Sequence, residues 1–287
     1  MRHALVFGAT GQIGAPLIEL LHADGWRVTA VSRAPQRDRP GLHWLQGTLP
    51  TLDVAVPREV DAIFSCGPLD HFAQWYASTA IDAPRLIAFG STSIDTKRGS
   101  SDPAERDVAD RLRTAERHVF ERAAALAAHA TLLRPTLVYG AGRDHTLTRI
   151  AALAQRWGRF VLPRGANGLR QPVHVDDLAL AAFQACDAIA AQDRAYALPG
   201  GERIAYRDMV ERLLAVLQPP PKLVEVPAPL FTLALFGARA MGRIAGFGDA
   251  AVARLRSDLV FDAEPARQDF GYAPRMFRPT ARMFRSE

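Results

Sequence analysis

Cysteine is scarce in this chain of 287 residues. The only two, Cys66 and Cys186, lie far apart and belong to no Cys-x-x-Cys pair or Cys/His cluster. This spacing excludes a disulfide framework and a structural zinc site, so we expect no metal and a reducing compartment. A strand-like run begins directly after the first two residues and leaves no room for a signal peptide. Both observations predict a cytoplasmic protein.

Lysine and long apolar runs are scarce as well. Lys97 and Lys222 are the only lysines among 35 basic residues, and the formal net charge is +5. The arginines are scattered and often lie near acidic residues, without interleaved aromatics, so we expect no nucleic-acid binding. The longest apolar stretch starts at Val226, is interrupted by Arg239 and Arg243, and falls short of the roughly 20 residues of a membrane span. It predicts a buried or interface helix and no transmembrane segment.

Apolar runs alternate with amphipathic stretches through the first half of the chain, a pattern typical of βαβ units. Six strands are predicted, at residues 3–9, 26–33, 42–49, 60–67, 85–93 and 130–140. Helices are predicted over 11–23 and 103–129. The fold class is therefore α/β, a doubly wound parallel sheet in residues 1–140, to which we also assign 170–190. The interleaved remainder, 141–287, is predicted to be a smaller α+β substrate region over the carboxyl edge of the sheet.

Three glycines separate the first predicted strand from the first helix. Gly8 permits a tight turn, Gly11 lets the backbone approach a pyrophosphate, and Gly14 allows close packing of the helix on the strand. The amides around Gln12 and Ile13 then open a helix whose positive end favours phosphate. The pattern predicts a dinucleotide site, and the alternative is a tight strand-to-helix turn without a ligand.

The residues after the second predicted strand indicate which dinucleotide is preferred. A carboxylate there would accept hydrogen bonds from a free ribose hydroxyl, but this chain has Ser32 and Arg33. A guanidinium can grip a 2′-phosphate through paired, charge-assisted hydrogen bonds. We therefore expect NADP(H) to be favoured over NAD(H). Arg37 and Arg39 are interpreted as solvated surface residues.

Several segments together resemble the extended short-chain dehydrogenase/reductase superfamily, and more narrowly the NAD-dependent epimerase/dehydratase group and its atypical members. They are "GATGQIG", "FGSTS", "LLRPTLVYGAGRD", "QPVHVDDLALAA", "LPGGERIAYRDMV" and "FGYAPRMFRPT". The resemblance implies a Rossmann domain that binds a nicotinamide dinucleotide and a C-terminal region that selects substrate. It assigns Gly8, Thr10, Gly11, Gln12, Ile13 and Gly14 to the phosphate turn, Ser65, Cys66 and Gly67 to the ribose, and Pro135 to the nicotinamide. Thr48 departs from the aspartate expected near the adenine.

The catalytic pair of active family members is missing. Such members use Tyr-x-x-x-Lys, in which lysine lowers the pKa of tyrosine so that tyrosine can transfer a proton. No Tyr-x-x-x-Lys occurs in this chain. When Glu116 is matched to the glutamate that commonly follows the pair, Val108 and Leu112 take the tyrosine and lysine positions.

Ser91 and Ser93 are candidates for binding a substrate carbonyl, because they match the position of the family's catalytic hydroxyl; capping of the strand end is the alternative. Asp70 and His71 follow the fourth strand and could supply acid-base chemistry or be merely solvated. Tyr139 has the spacing of the pair with arginine in place of lysine, and a structural or substrate-facing position is favoured for it.

His174 is a further candidate proton donor, followed by Asp176 and Asp177 near a predicted helix start. We expect the aspartates to cap that helix rather than to form a dyad with the histidine. Two functions follow: an NADP(H)-binding protein with a sensing, scaffolding or structural role, or an active oxidoreductase or epimerase/dehydratase with a non-standard proton donor. Beyond the dinucleotide, a small-molecule substrate and a homodimer are the partners considered.

Overall fold

The structure is a computed structural model that describes residues 1–232 and 249–285. The first half contains β1 His3–Phe7, α1 Gly14–Ala23, β2 Arg27–Ser32, β3 Leu42–Gln46, β4 Ala62–Ser65, α2 Leu69–Ser78, β5 Arg85–Phe89, α3 Ser93–Thr96, α4 Pro103–Ala125, β6 His129–Pro135 and β7 Val138–Tyr139. The second half contains α5 Leu147–Trp157, β8 Arg159–Pro163, β9 Leu169–Arg170, β10 Val173–His174, α6 Val175–Asp187, β11 Arg194–Leu198, β12 Ile204–Ala205, α7 Tyr206–Ala215, β13 Lys222–Val226, α8 Asp249–Arg254 and α9 Glu264–Phe270. Two 3₁₀ turns cover Ile189–Ala191 and Ala281–Phe284.

A seven-stranded sheet in the order β11-β6-β5-β4-β1-β2-β3 forms the centre of the molecule. Every strand pair in it is parallel. The order reverses between β1 and β4, which is the switch point of a doubly wound Rossmann fold. The predicted fold class is confirmed, and all six predicted strands contribute to the sheet. The seventh strand, β11, comes from the second half of the chain and pairs with β6.

The segment predicted as one strand over 130–140 is divided in two. β6 ends at Pro135, and the short β7 pairs with β10 instead of continuing in the main sheet. Proline has no N–H to donate to a ladder, so a strand ends there readily. The chain therefore leaves the sheet at the carboxyl edge, where ligands of such folds bind.

Two apolar layers cover the sheet. On one face α1 packs against α6, and on the other α2 packs against α4. β1 and β4 are buried along their whole length, as expected for central strands of a parallel sheet. The long helix α4 begins with Asp102, whose side chain accepts a hydrogen bond from the Ala104 N–H, and with Pro103 in its first turn.

A third apolar cluster joins β7, α5, α7 and the C-terminal segment. Two ties connect this region to the Rossmann layer. The Asp177 carboxylate on α6 accepts hydrogen bonds from Arg275 N (2.9 Å) and Nε (2.8 Å). Glu105 on α4 forms an ion pair with Arg254 on α8. The region is thereby fixed against the helices that flank the carboxyl edge of the sheet.

Most of the apolar stretch that predicts a buried or interface helix lies at 233–248, outside the described residues. Among the helices of the described part, none is long and apolar enough to cross a bilayer.

Candidate functional site

The glycine turn between β1 and α1 leaves no space for larger side chains. Gly8 has a φ of +67°, and a Cβ there would lie 2.8 Å from the backbone of Cys66 and Gly67. The Gly11 N–H donates to the Gly8 carbonyl at 2.8 Å. A Cβ on Gly14 would lie 2.2 Å from that same carbonyl oxygen. Each glycine is therefore required by the backbone packing of the turn.

The N-terminus of α1 is suited to an anion. Ile13, the residue before the helix, provides no side-chain cap, and the first turn contains no acidic residue. The Gln12 Oε1 atom is buried and has no hydrogen-bond partner within residues 1–232 and 249–285. Free amides at a helix start carry a partial positive charge, which an anion such as phosphate neutralises. The turn and the helix start together fit the pyrophosphate of a dinucleotide.

An exposed arginine, Arg33, follows the end of β2. Ser32 is buried, whereas Arg33 is exposed, and its backbone carbonyl accepts a hydrogen bond from Gln46 Nε2 at 3.3 Å. In the described part of the chain, the Arg33 side chain has no carboxylate partner, whereas Arg39 forms an ion pair with Glu19. Arg33 is thus available for a negatively charged ligand.

The carboxyl end of β4 lies directly beside the glycine turn. The Cys66 N–H donates to the Phe7 carbonyl at 3.0 Å. Burial raises the pKa of the Cys66 thiol to about 12, so the reactive thiolate form is suppressed. Ser65 is fully buried, and its Oγ has no hydrogen-bond partner among the residues that the structure describes. Gly67 follows Cys66 and lines a cavity beside the end of β4.

A cavity of about 230 Å³ opens between the ends of β4 and β5, the first turn of α2 and the second and third turns of α4. Its lining consists of Gly67, Pro68, Leu69, Asp70, Phe89, Gly90, Val108, Arg111 and Leu112. Val108 and Leu112 stand one helical turn apart on α4 and both contribute to this lining. The positions matched to the tyrosine and lysine therefore face the cavity, but with aliphatic side chains.

Charged groups lie at the rim of the cavity and behind Gly90 of its wall. At the rim, Asp70 pairs with Arg111 at 3.0 Å. Behind Gly90, Glu116 is buried and forms a bidentate ion pair with Arg134, with Nε to Oε1 at 2.9 Å. A Cβ on Gly90 would lie 2.9 Å from Glu116 Oε1. Both carboxylate oxygens of Glu116 are thus paired with Arg134, and this ion pair ties α4 to β6.

The hydroxyl cluster after β5 is organised by backbone hydrogen bonds. Ser91 Oγ accepts a hydrogen bond from the Ser93 N–H at 3.1 Å, and Thr92 Oγ1 donates to the Pro135 carbonyl at 3.1 Å. Ser91 and Ser93 are both half-buried. Because the Ser91 hydroxyl accepts here, its proton remains available for donation to a ligand. Capping and substrate binding are compatible at Ser91.

Tyr139 and His174 form a buried pair that does not line this cavity. Their rings are 5.1 Å apart and edge to face. Burial raises the pKa of Tyr139 to about 12 and lowers that of His174. His174 Nε2 has no hydrogen-bond partner in the described part, and a Cβ on Gly140 would lie 2.6 Å from it. On its other side, His174 Nδ1 lies 3.3 Å from the Asp176 carboxylate, so the ring is enclosed by Tyr139, the Gly140 backbone and one acidic side chain.

The expectation that aspartates cap α6 is wrong. The side chain that caps this helix is His174, whose Nδ1 accepts a hydrogen bond from the Asp176 N–H at 3.2 Å. Asp177 instead binds Arg275. Because His174 itself occupies the Ncap position, its ring nitrogen is within hydrogen-bond distance of the free Asp176 N–H. Both aspartates lie inside the helix, past the capping position. Of the other loop candidates, Asp70 is paired at the cavity rim and His71 is exposed.

One contact to the glycine turn was not predicted. Arg143, in the loop after β7, donates from Nη1 to the Thr10 carbonyl at 2.6 Å. The two residues are separated by 133 positions, and the sequence contains no signal that would bring them together.

Residues 4–82 match the model of the NAD dependent epimerase/dehydratase family, a span that contains the glycine turn, Arg33 and the end of β4. The chain is similar to a 2-alkyl-3-oxoalkanoate reductase of Stenotrophomonas maltophilia (strain K279a), 27% identical, with 95% of this chain and 94% of the relative covered. A second protein of that name, from Shewanella oneidensis, is 23% identical, with 94% and 82% covered.

Solved structures agree with the Rossmann fold. The epimerase Mth375 of Methanothermobacter thermautotrophicus matches with a TM-score of 0.70 at 12% identity, covering 98% of this chain and 89% of that one. MoeE5 in complex with UDP-glucose and NAD also matches with a TM-score of 0.70, at 18% identity, covering 96% and 94%. These likenesses show the fold alone.

Proposed function

We propose that this protein is an atypical relative of the NAD-dependent epimerase/dehydratase family that binds NADP(H) at the glycine turn and lacks the tyrosine-lysine proton transfer of active relatives. Its role would be cofactor sensing, scaffolding or a structural one. The observation that carries the proposal is the aliphatic cavity wall, where Val108 and Leu112 replace a titratable pair. The side chains at these two positions have no proton to give and none to accept.

Some residues of the site would bind the dinucleotide, and others line the cavity without taking part in proton transfer. The glycine turn and the first amides of α1 would hold the pyrophosphate, and Arg33 would hold a 2′-phosphate through charge-assisted hydrogen bonds. When bound, the nicotinamide ring supplies hydride transfer. Since Val108 and Leu112 are apolar, they exclude water from the cavity and stabilise no charge that develops at a carbonyl oxygen.

A thermal-shift titration of the purified chain with NADPH and NADH tests the proposal. A ligand that binds only the folded state stabilises it by RT ln(1 + [L]/Kd), or about 2.7 kcal/mol at one hundred times Kd. We expect a larger shift with NADPH than with NADH. Arg33→Ala should remove the difference, whereas the control Arg37→Ala, in the same exposed loop, should keep it. Equal shifts with the two dinucleotides in the wild type would contradict the preference for NADP(H). If neither dinucleotide shifts the unfolding midpoint, the proposed binding itself is contradicted.

A second candidate function is an active NADP-dependent oxidoreductase or epimerase/dehydratase with a non-standard donor. The available hydroxyl proton of Ser91 favours it, with Ser93, Tyr139 and His174 as further candidates. The reductase names of two relatives also favour a carbonyl substrate over a sugar-like one. Turnover of NADPH with a panel of 3-oxoacids, aldehydes and ketones distinguishes the two candidates. Activity that Ser91→Ala abolishes would establish the second and overturn the first.

A further inference from the structure

Arg143 brings a positive charge from the loop between β7 and α5 onto the glycine turn. Its side chain is exposed, and Nη1 donates to the Thr10 carbonyl at 2.6 Å. The loop that carries it is fixed on both sides. The Gly142 N–H donates to the Met283 carbonyl at 2.9 Å, and the Asp144 carboxylate accepts from the Thr146 N–H at 3.0 Å. The position of Arg143 is therefore fixed by the hydrogen bonds of its loop and not by the Thr10 contact alone.

No acidic side chain of the described residues pairs with Arg143. Most arginines with described contacts pair with a carboxylate, but Arg143 has no acidic partner within residues 1–232 and 249–285, and its hydrogen bond goes to a neutral carbonyl. It adds to the partial positive charge of the α1 N-terminus, whose first turn also lacks an acidic residue. Two adjacent positive groups repel each other, and an anion between or beside them offsets that repulsion.

Only one of the five guanidinium N–H donors is used by Thr10. The remaining donors are suited to phosphate oxygens, which guanidinium groups bind through short, charge-assisted hydrogen bonds. The Thr10 contact holds the head group beside the turn, so less conformational freedom is lost when a phosphate binds. Charge, donor geometry and placement thus agree on the same ligand group.

We propose that Arg143 is a pyrophosphate-binding residue that closes the dinucleotide site from the C-terminal region. The proposal rests on the proposed function, because the ligand is the same dinucleotide. Arg143 and Arg33 would recognise different groups of that dinucleotide, the pyrophosphate and the 2′-phosphate. Arg33 would distinguish NADPH from NADH, whereas Arg143 contributes equally to both, since both contain the pyrophosphate.

Calorimetric titration of NADPH and NADH into the wild type, Arg143→Ala and Arg143→Gln tests this assignment. Loss of a charge-assisted contact should raise Kd about ten- to hundredfold, by the same factor for both dinucleotides, so that their Kd ratio is unchanged. Arg143→Gln retains a donor for the Thr10 carbonyl without the charge, and we expect it to bind as weakly as Arg143→Ala. Arg149→Ala, an exposed arginine on the neighbouring helix α5, is the matched control and should bind as the wild type does.

Three results would overturn the assignment: wild-type affinity in Arg143→Ala, a loss confined to NADPH, or full recovery in Arg143→Gln, which would reduce Arg143 to a tie between loop and turn. Unfolding midpoints of the ligand-free variants show that each is folded. If the wild type itself binds neither dinucleotide, the proposed function fails and this inference fails with it. If the wild type binds and all variants bind equally, this inference alone fails.

Discussion

Replacement of Gly14 by alanine tests whether the glycine turn is shaped for a ligand or is only a tight connection. The new Cβ would lie 2.2 Å from the Gly8 carbonyl oxygen and 2.8 Å from the Ala9 Cα. Both neighbours are backbone atoms, so relief requires the turn and the start of α1 to separate by about 1 Å. Overpacking of this kind costs roughly 1 to 3 kcal/mol of unfolding free energy.

The same displacement should weaken binding by a separate route. Amides that shift by about 1 Å no longer reach phosphate oxygens within the 2.7 to 3.2 Å of a hydrogen bond. We therefore expect Gly14→Ala to raise the Kd for NADPH at least about tenfold, in addition to its loss of stability. Urea unfolding and calorimetric titration measure the two effects separately.

Gly99→Ala is the matched control for this prediction. No heavy atom lies within 4 Å of a Cβ built at Gly99, so we expect a change of less than about 0.5 kcal/mol and no change in Kd. Wild-type stability and affinity in Gly14→Ala would refute the packing argument. Lower stability with wild-type affinity would show that the turn is tight but does not hold the ligand.

Two further predictions concern the groups behind the site. Glu116→Gln leaves the Arg134 guanidinium, 25% exposed, with only the exposed Asp95 carboxylate at 4.0 Å. We expect urea unfolding to show a loss of about 1 to 3 kcal/mol; an unchanged midpoint would contradict a structural ion pair. Burial lowers the pKa of folded His174, so the unfolded state takes up its proton first and stability should fall as the pH drops below about 6.5. Unfolding of His174→Asn should lose this contribution, and a pH slope equal to that of the wild type would rule it out.

Much of the fold could be predicted from the sequence because local patterns determine it. Buried parallel strands appear as continuous apolar runs, and the first six were located in this way. The requirement for glycine at positions 11 and 14 is also local, since a Cβ there would meet the backbone of residues 8 and 9. A Cβ on Gly8, in contrast, would meet the backbone of Cys66 and Gly67 at the end of β4. The match of Glu116 to the family pattern assigned Val108 and Leu112 to two adjacent turns of one helix face, and both line the cavity.

The remaining features depend on contacts between distant segments. β11 joins the sheet by pairing with β6, and no short stretch of sequence specifies that partner. The capping role of His174 depends on the angle at which β10 enters α6, which the order of residues does not determine. Arg143 reaches Thr10 across 133 positions, and an arginine in a loop carries no sequence signal for such a contact.

The most direct test of the account is a calorimetric titration of NADPH, and then of NADH, into the wild-type chain. The account predicts saturable binding of both at one site per chain, with NADPH the tighter because, in the proposed function, Arg33 would bind the 2′-phosphate. The absence of saturable heat with either dinucleotide would contradict the claim that this turn holds a cofactor.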